Sequence, residues 1–193
     1  MRDCPRLFAT DSFLLRKKRK TYLISPLQKK IKKLYTKKGD FGITKDYANN
    51  EIKKHDSMVK TVGKIDSLQS ILDLAILKSQ GEEKQMLEKV QKKLWQLSGE
   101  LFNCPGDCLI DPVKEEDIQD MENFIDSLGE PPNKFVRFNT EDSITMNECR
   151  VRCRELETHL AELLEKNKLR PEMYQYINRL SSLFFMMGYK KSE

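Results

Sequence analysis

The chain has 193 residues, of which 38% are hydrophobic and 34% are charged. This apolar content suffices for the core of one domain, while 8 Gly and 7 Pro are too few for the many turns of an all-β sandwich. No apolar run reaches the roughly 18 residues that a membrane span needs, so a transmembrane protein is excluded, and we expect no membrane as a partner of the folded domain. Two histidines and no HExxH motif exclude a zincin and disfavour a histidine-based catalytic triad.

The positive charge is concentrated at the N-terminus. Residues 1–38 carry 13 Lys or Arg and 2 Asp or Glu, a net charge of +11, whereas the remainder carries a net charge of −6. We therefore predict a basic arm, residues 1–33, followed by one domain, residues 34–193. The arm is interpreted as a disordered tail, an organellar transit peptide, or a segment that contacts nucleic acid or an anionic membrane. No aromatic residues are interleaved with the basic runs, so nucleic-acid binding is not favoured.

Apolar residues recur at steps of three and four through five segments after residue 45, which predicts five amphipathic helices. The first starts at Ser57, and the second ends near Cys104-Pro105-Gly106. The third is predicted to begin at Asp111, with Asp as the N-cap and Pro112 at the first helical position. The fourth extends from about Asp142 to Lys166, and the fifth begins at Pro171. Short connections favour an all-α fold, a five-helix and largely antiparallel bundle.

The segment from residue 34 to residue 45 combines glycines, hydroxyls and positive charge. Glycines let a backbone approach a ligand closely, and hydroxyl and ammonium groups bind phosphate oxygens. The residues concerned are Thr36, Lys37, Lys38, Gly39, Asp40, Gly42 and Thr44. The segment contains neither a Walker A motif nor a Rossmann glycine pattern. It is interpreted either as a plain polar turn or as a polyphosphate site.

The fourth helix carries a charged stripe beside its apolar one. Arg150, Arg154 and Glu157 are spaced by four and three residues, so their side chains share a face. On the fifth helix, Asn178 borders the apolar stripe in the same way. The simplest interpretation is a solvated face with salt bridges. The functional interpretation is a pair of arginines that binds anionic oxygens.

The cysteines allow a zinc site but do not favour one. Cys104, Cys108, Cys149 and Cys153 could supply four thiolates, yet their spacing differs from the usual CxxC knuckle. Cys149 and Cys153 also lie on the apolar stripe of the fourth helix. We therefore expect buried thiols and no metal ligated by the protein.

Taken together, five blocks of the sequence resemble the trimeric, helical-bundle ATP:cob(I)alamin adenosyltransferases. The glycine segment resembles their "TKTGDKGTT" motif, and the blocks follow in the family's order from about residue 34 to 189. The other blocks are Lys54 with Gly63-Lys-Ile-Asp66-Ser-Leu-Gln69, resembling "GTVDELNS"; Phe135-Val-Arg-Phe, resembling "FILPGG"; Arg150-Val-Arg-Cys-Arg154-Glu-Leu-Glu157, resembling "RTVCRRAE"; and Tyr176-Ile-Asn178-Arg-Leu-Ser-Ser, resembling "YLNRLSD".

The resemblance implies an enzyme that transfers the 5′-deoxyadenosyl group of ATP to cob(I)alamin, with Mg²⁺ on the triphosphate. The corrinoid supplies the nucleophile, so no Ser, Cys or His base is required. It also implies a homotrimer with ATP sites between subunits, in which Asp66 and Arg150 pair across the boundary and serve catalysis. ATP would be bound by Thr36, Lys37, Gly39, Asp40, Gly42, Thr44, Lys54, Arg154, Glu157 and Asn178.

The resemblance assigns Phe135 to the corrinoid, where it would displace the lower ligand of cobalt. The alternative is a core aromatic that closes the end of the bundle. At the level of the whole chain, two alternatives stay open: an inactive family member that binds nucleotide or corrinoid, and a helical interaction module with a basic arm. The enzyme would act with a corrinoid reductase and an adenosylcobalamin-dependent enzyme. We expect an intracellular location, with the cytoplasm favoured and the mitochondrial matrix as the alternative.

Overall fold

The computed structural model describes Tyr35, residues 37–106 and residues 109–192. Within these residues five helices follow a short β-hairpin, so the predicted five-helix bundle is confirmed. The N-terminal arm lies outside the described residues, and its boundary at residue 34 stays a prediction. The elements are β1 (Ile43–Lys45), β2 (Glu51–Lys53), α1 (Ser57–Lys78), α2 (Gly81–Leu101), α3 (Glu115–Ser127), α4 (Glu141–Glu165) and α5 (Pro171–Lys190).

Local capping explains where three of the helices begin. The carboxylate of Asp56 accepts a hydrogen bond of 2.9 Å from the backbone N–H of Met58 and so caps α1. Thr140 and Ser143 form a reciprocal capping box at the start of α4. Pro171 occupies the first turn of α5, where its missing N–H has no consequence. These starts lie within one residue of the predicted ones.

The start of α3 differs from the prediction, which placed its N-cap at Asp111. The helix begins at Glu115, and the Asp117 carboxylate accepts a 2.9 Å hydrogen bond from the N–H of Lys114, the actual N-cap. Asp111 instead forms an ion pair of 2.8 Å with Lys93 of α2. Asp111 therefore pairs with a residue of another helix and does not cap α3 as the local sequence predicted.

The core lies between α1, α2, α4 and α5, with α3 covering α5. Two ion pairs show that α1 and α4 run antiparallel, because Lys64 contacts Glu155 and Lys78 contacts Glu141. Cys149 and Cys153 are buried free thiols in this core. Burial raises the pKa of Cys149 to about 12, so the thiol stays protonated at neutral pH. The largest fully buried side chains are Phe184, Ile65, Leu68, Leu72, Leu87, Leu94, Leu97, Met121, Met146, Leu156, Leu160 and Leu163.

The β-hairpin was not expected from the sequence, because each strand has only three residues. β1 and β2 pair antiparallel, with Thr44 opposite Ile52. Asp46 anchors the hairpin to the end of α2, since its carboxylate accepts a 2.9 Å hydrogen bond from the Asn103 amide and further ones from Asn50. Among the described residues, no helix is long and apolar enough to cross a membrane.

Candidate active site on helices α4 and α5

Two arginines of α4 form the centre of the candidate site. Arg150 is half-buried and Arg154 is exposed. Both line two adjoining cavities, of about 420 Å³ and about 560 Å³. Within the described part of the chain, neither guanidinium forms an ion pair. Of the simple interpretation, a solvated face with salt bridges, the described residues show the solvent exposure of Arg154 but no salt bridge to either arginine. The charge of both guanidinium groups is therefore available to a ligand.

The neighbouring polar side chains are held by hydrogen bonds between or along the helices. The amide of Asn178 on α5 donates a 3.0 Å hydrogen bond to the carboxylate of Glu157 on α4. The guanidinium of Arg150 donates a 3.0 Å hydrogen bond to the side chain of Asn147, one turn earlier. The structure therefore brings together four residues that the sequence grouped: Arg150, Arg154, Glu157 and Asn178.

The two cavities differ in character. The smaller has an apolar wall, which includes Ile125, Pro131, Phe185 and Met186. The larger is bordered by charged and polar side chains of α4, by Val151 and Ala161 of the same helix, and by Tyr174 of α5. Arg150 and Arg154 line both cavities. The arrangement suits a ligand with a polyanionic part and a large apolar part, because guanidinium groups bind phosphate oxygens while the wall excludes water.

The glycine segment forms a separate basic loop that leads into the hairpin. Gly42 has φ +76°, a conformation that favours glycine, and its carbonyl accepts a 2.8 Å hydrogen bond from the N–H of Lys54. A Cβ on Gly39 would lie 2.8 Å from the Lys54 ammonium nitrogen, so this glycine admits a close approach. A cavity of about 700 Å³ beside the loop is lined by Lys38, Gly39, Ile43, Thr44, Lys45, Glu51 and Lys54.

Other predicted loop residues differ in their accessibility. Lys37 and Asp40 are exposed, and Thr44 is half-buried on β1. Thr36 lies outside the described residues. Among the residues that the structure covers, no hydrogen bond or ion pair links this loop to Arg150, Arg154 or Glu157. A single chain therefore presents two basic regions without direct contact between them.

Asp66 and Phe135 both face solvent in the single chain. Asp66 is exposed on α1, and its carboxylate forms no ion pair within the described residues. The Phe135 side chain is 95% exposed. The interpretation of Phe135 as a core aromatic is therefore wrong, and burial in the bundle does not explain an aromatic residue at this position.

Comparison with known proteins identifies the family. A model of the cobalamin adenosyltransferase family matches residues 34–191, most of the chain. A corrinoid adenosyltransferase from Citrobacter freundii is 33% identical over 163 residues, which cover 81% of this chain and 93% of that protein. The chain belongs to the cobalamin adenosyltransferase family. A corrinoid adenosyltransferase from Bacillus subtilis is 28% identical over 163 residues, which cover 79% of this chain and 83% of that protein.

A solved structure shows the same fold as this family member. It is a variant of a PduO-type ATP:corrinoid adenosyltransferase from Lactobacillus reuteri in which one phenylalanine is replaced by alanine, complexed with cobalamin and ATP. The TM-score is 0.72 at 22% identity, covering 83% of this chain and 93% of that one. At this identity the similarity establishes the bundle and its topology.

Sequence patterns did not indicate several residues that line the cavities of this adenosyltransferase family member. Ser182, Phe185 and Met186 come from α5, whereas Ile125 and Pro131 come from α3 and the segment after it. Apolar residues at helical spacing look alike whether they fill the core or border a cavity. No local signal could separate these two roles, because the difference depends on which helix packs opposite.

Proposed function

We propose that this protein transfers the 5′-deoxyadenosyl group of ATP to cob(I)alamin, producing adenosylcobalamin and triphosphate. The observation that carries the proposal is the arginine pair of α4, which forms no ion pair with any described residue and lines both cavities. Membership of the cobalamin adenosyltransferase family supports the same reaction.

In this reaction the reduced cobalt attacks the 5′ carbon of ATP, a cobalt–carbon bond forms, and the carbon–oxygen bond to triphosphate breaks. Both electrons of the new bond come from cobalt, so the protein needs no nucleophile of its own. Its tasks are to align cobalt with carbon and to stabilise the charge on the leaving group. Arg150 and Arg154 are suited to the second task, because guanidinium groups bind phosphate oxygens in a bidentate manner.

The basic loop is proposed to hold the remainder of the triphosphate. Lys37, Lys38 and Lys54 supply positive charge around Gly39. Magnesium would arrive with ATP, because this ion is usually bound by one or two carboxylates and by substrate phosphates. The exposed carboxylate of Asp40 fits that requirement. Thr36, Gly42 and Thr44 complete the proposed set, with Glu157 and Asn178 on the nucleoside side.

A homotrimer is part of the proposal. Among the described residues the two basic regions do not meet, which favours a site completed by another subunit, and the family resemblance implies three subunits. α1 and α4 also expose four aliphatic side chains that a neighbouring subunit could cover: Leu74, Leu77, Ile144 and Val151. Contact between subunits would bring the loop of one chain to the arginines of another. It would also allow the exposed Asp66 of one chain to pair with Arg150 of the next.

The Asp66–Arg150 pair can be tested with Asp66→Asn. Breaking a buried ion pair typically costs about 3–5 kcal/mol, so we expect lower activity and a weaker trimer. Analytical ultracentrifugation and the adenosylation assay would report the two effects. Asp73→Asn is a control on the same helix, since this carboxylate accepts a hydrogen bond from Gln91 instead. A monomer that retains full activity would contradict the trimer and the pair together.

The proposed reaction itself is tested by following the absorbance change when ATP is added to the purified protein with chemically reduced cobalamin. Formation of adenosylcobalamin and stoichiometric triphosphate would support it. If ATP or cobalamin binds without turnover, the protein is an inactive member of the family, and the proposed reaction is wrong. A corrinoid reductase as partner, an adenosylcobalamin-dependent enzyme as recipient and an intracellular location, cytoplasmic or mitochondrial, belong to the same proposal.

A further inference from the structure

The segment between α3 and α4 is anchored to α5 immediately after Phe135. The ring of Phe138 packs edge-on against Phe185, with centroids 6.1 Å apart and planes at 90°. Thr140 donates a 2.9 Å hydrogen bond from its hydroxyl to the carbonyl of Lys191. The segment that carries Phe135 is therefore fastened to the last turns of α5 by one aromatic contact and one hydrogen bond.

Gly188 makes this packing possible. It is buried in α5, and a Cβ built on it would lie 2.9 Å from Cε1 of Phe138. The same Cβ would lie 3.2 Å from the Cβ of Met146 and 3.3 Å from the carbonyl oxygen of Ser143. Two of the three neighbours belong to α4 and cannot rotate away, so an added methyl group must displace the Phe138 ring. Glycine here provides space for the ring rather than backbone freedom.

The anchored ring also contacts the wall of the candidate site. Phe185, which holds Phe138, lines the 420 Å³ cavity together with Arg150 and Arg154. Pro131, at the other end of the segment, lines the same cavity. The segment is therefore tied to this cavity on both sides of Phe135, although Phe135 itself is 95% exposed. An exposed aromatic ring cannot fix its own position, so the position must come from these two attachments.

We propose that Gly188 and Phe138 are positioning residues for the corrinoid, which act by fixing where Phe135 stands relative to the arginine cavity. The inference rests on the proposed function, since it assumes that Phe135 meets the corrinoid. Neither residue needs to touch the substrate. The absence of a side chain at Gly188 leaves room for the Phe138 ring. The position of this ring then determines the path of the two residues between it and Phe135.

The test compares Gly188→Ala with Gly99→Ala in the full-length chain. Gly99 is a helical glycine of α2 whose Cβ position has only ordinary contacts, the nearest at 3.4 Å, and it lines neither cavity of the arginine site, so it controls for the higher helix propensity of Ala. We expect Gly188→Ala to raise the KM for cobalamin about tenfold, less than the roughly 100-fold loss that a misplacement of about 1 Å can cause. The KM for ATP should stay unchanged, and Gly99→Ala should alter neither constant.

A second readout does not depend on activity. Lys134 and Arg137 are exposed on either side of Phe135, so trypsin cleavage at these two sites reports whether the segment is held. Cleavage should be faster in Gly188→Ala and in Phe138→Ala than in the wild type or in Gly99→Ala. If Gly188→Ala does not fold, Phe138→Ala carries the test, because its ring is only half-buried.

A double-mutant cycle separates positioning from general destabilisation. In the Phe138→Ala background the added methyl group no longer meets a ring, so Gly188→Ala should change the cobalamin KM much less. Additive effects, or equal rises in the KM for cobalamin and ATP, would overturn the inference. So would an unchanged cobalamin KM in an active Gly188→Ala variant. A wild-type protein that does not adenosylate cobalamin would instead overturn the proposed function.

Discussion

The arginine site and the basic loop place positive charge in two different ways. Arg150 and Arg154 project from a helix whose opposite face is packed in the core, so their backbone positions are fixed by Cys149, Cys153 and Leu156. The loop is fixed by few contacts, mainly the carboxylate of Asp46 and the glycine conformation at Gly42. A site on a helix depends on side chains, whereas a site on a loop depends on backbone conformation. Substitutions in the two regions should therefore differ in kind and in size.

The largest effect is expected at the helical site. Arg154→Ala should lower kcat/KM for ATP about 100-fold, the loss typical of removing one preorganised donor to developing negative charge. The melting temperature should not change, because Arg154 is exposed and Ala is a good helix former. Arg179→Ala is the matched control, since its guanidinium pairs with Glu122 at the surface. Normal ATP kinetics in Arg154→Ala with an unchanged circular dichroism spectrum would remove Arg154 from the site.

The next effect concerns two exposed phenylalanines of the described residues, Phe135 in the segment that borders the arginine site and Phe41 in the basic loop. Phe135→Ala should slow adenosylation of cobalamin about tenfold, equivalent to about 1.4 kcal/mol in the barrier. The same substitution should slow adenosylation of cobinamide less, because cobinamide has no lower base to displace. Phe41, which is 90% exposed in the basic loop, provides the control. Phe41→Ala should leave the ratio of the two rates unchanged.

Equal losses on both corrinoids in Phe135→Ala would argue against displacement of the lower ligand. The melting temperature is informative here, since a 95% exposed ring contributes little to the core. A clear decrease would mean that Phe135 is covered in the assembled protein by something other than the corrinoid.

A smaller effect is expected from backbone strain in the loop. Gly42→Ala places a Cβ at φ +76°, which costs about 1–2 kcal/mol. We expect the KM for ATP to rise about fivefold, since about 1 kcal/mol corresponds to that factor. The corrinoid KM should be unaffected. Gly106→Ala, at a glycine with open space around it, is the control. If the two variants behave alike in ATP titrations, the loop does not bind the triphosphate.

The smallest effect is a pH dependence of the hairpin anchor. Hydrogen bonds from Asn103 and Asn50 lower the pKa of Asp46, against the opposing effect of burial. A lowered folded-state pKa means that the stabilisation is present above the unfolded pKa, about 3.9, and is lost as the pH falls through the folded value. The difference in melting temperature between wild type and Asp46→Asn should therefore be present at about pH 6 and shrink toward about pH 3. A difference independent of pH would show that the carboxylate charge is not involved.

Much of the fold could be predicted from local patterns. The apolar periodicity located five helices, and the caps at Asp56 and Thr140 and the proline at position 171 agree with three of their starts. The predicted start of α3 was wrong, because the Asp111 carboxylate forms an ion pair with Lys93 and does not cap the helix. The hairpin was missed because three-residue strands give no usable alternation and depend on the contacts of Asp46 with a distant helix.

By itself, the sequence determined which residues of α4 and α5 share a polar face, because helical spacing places Arg150, Arg154 and Glu157 on one side whatever the fold. Only the tertiary structure decided that Asn178 bonds to Glu157, that Phe135 is exposed and that Phe138 packs at Gly188. Periodicity is a property of one helix and can be read from its own residues. Contacts between helices depend on crossing angles and loop paths, which arise from the packing of the whole core.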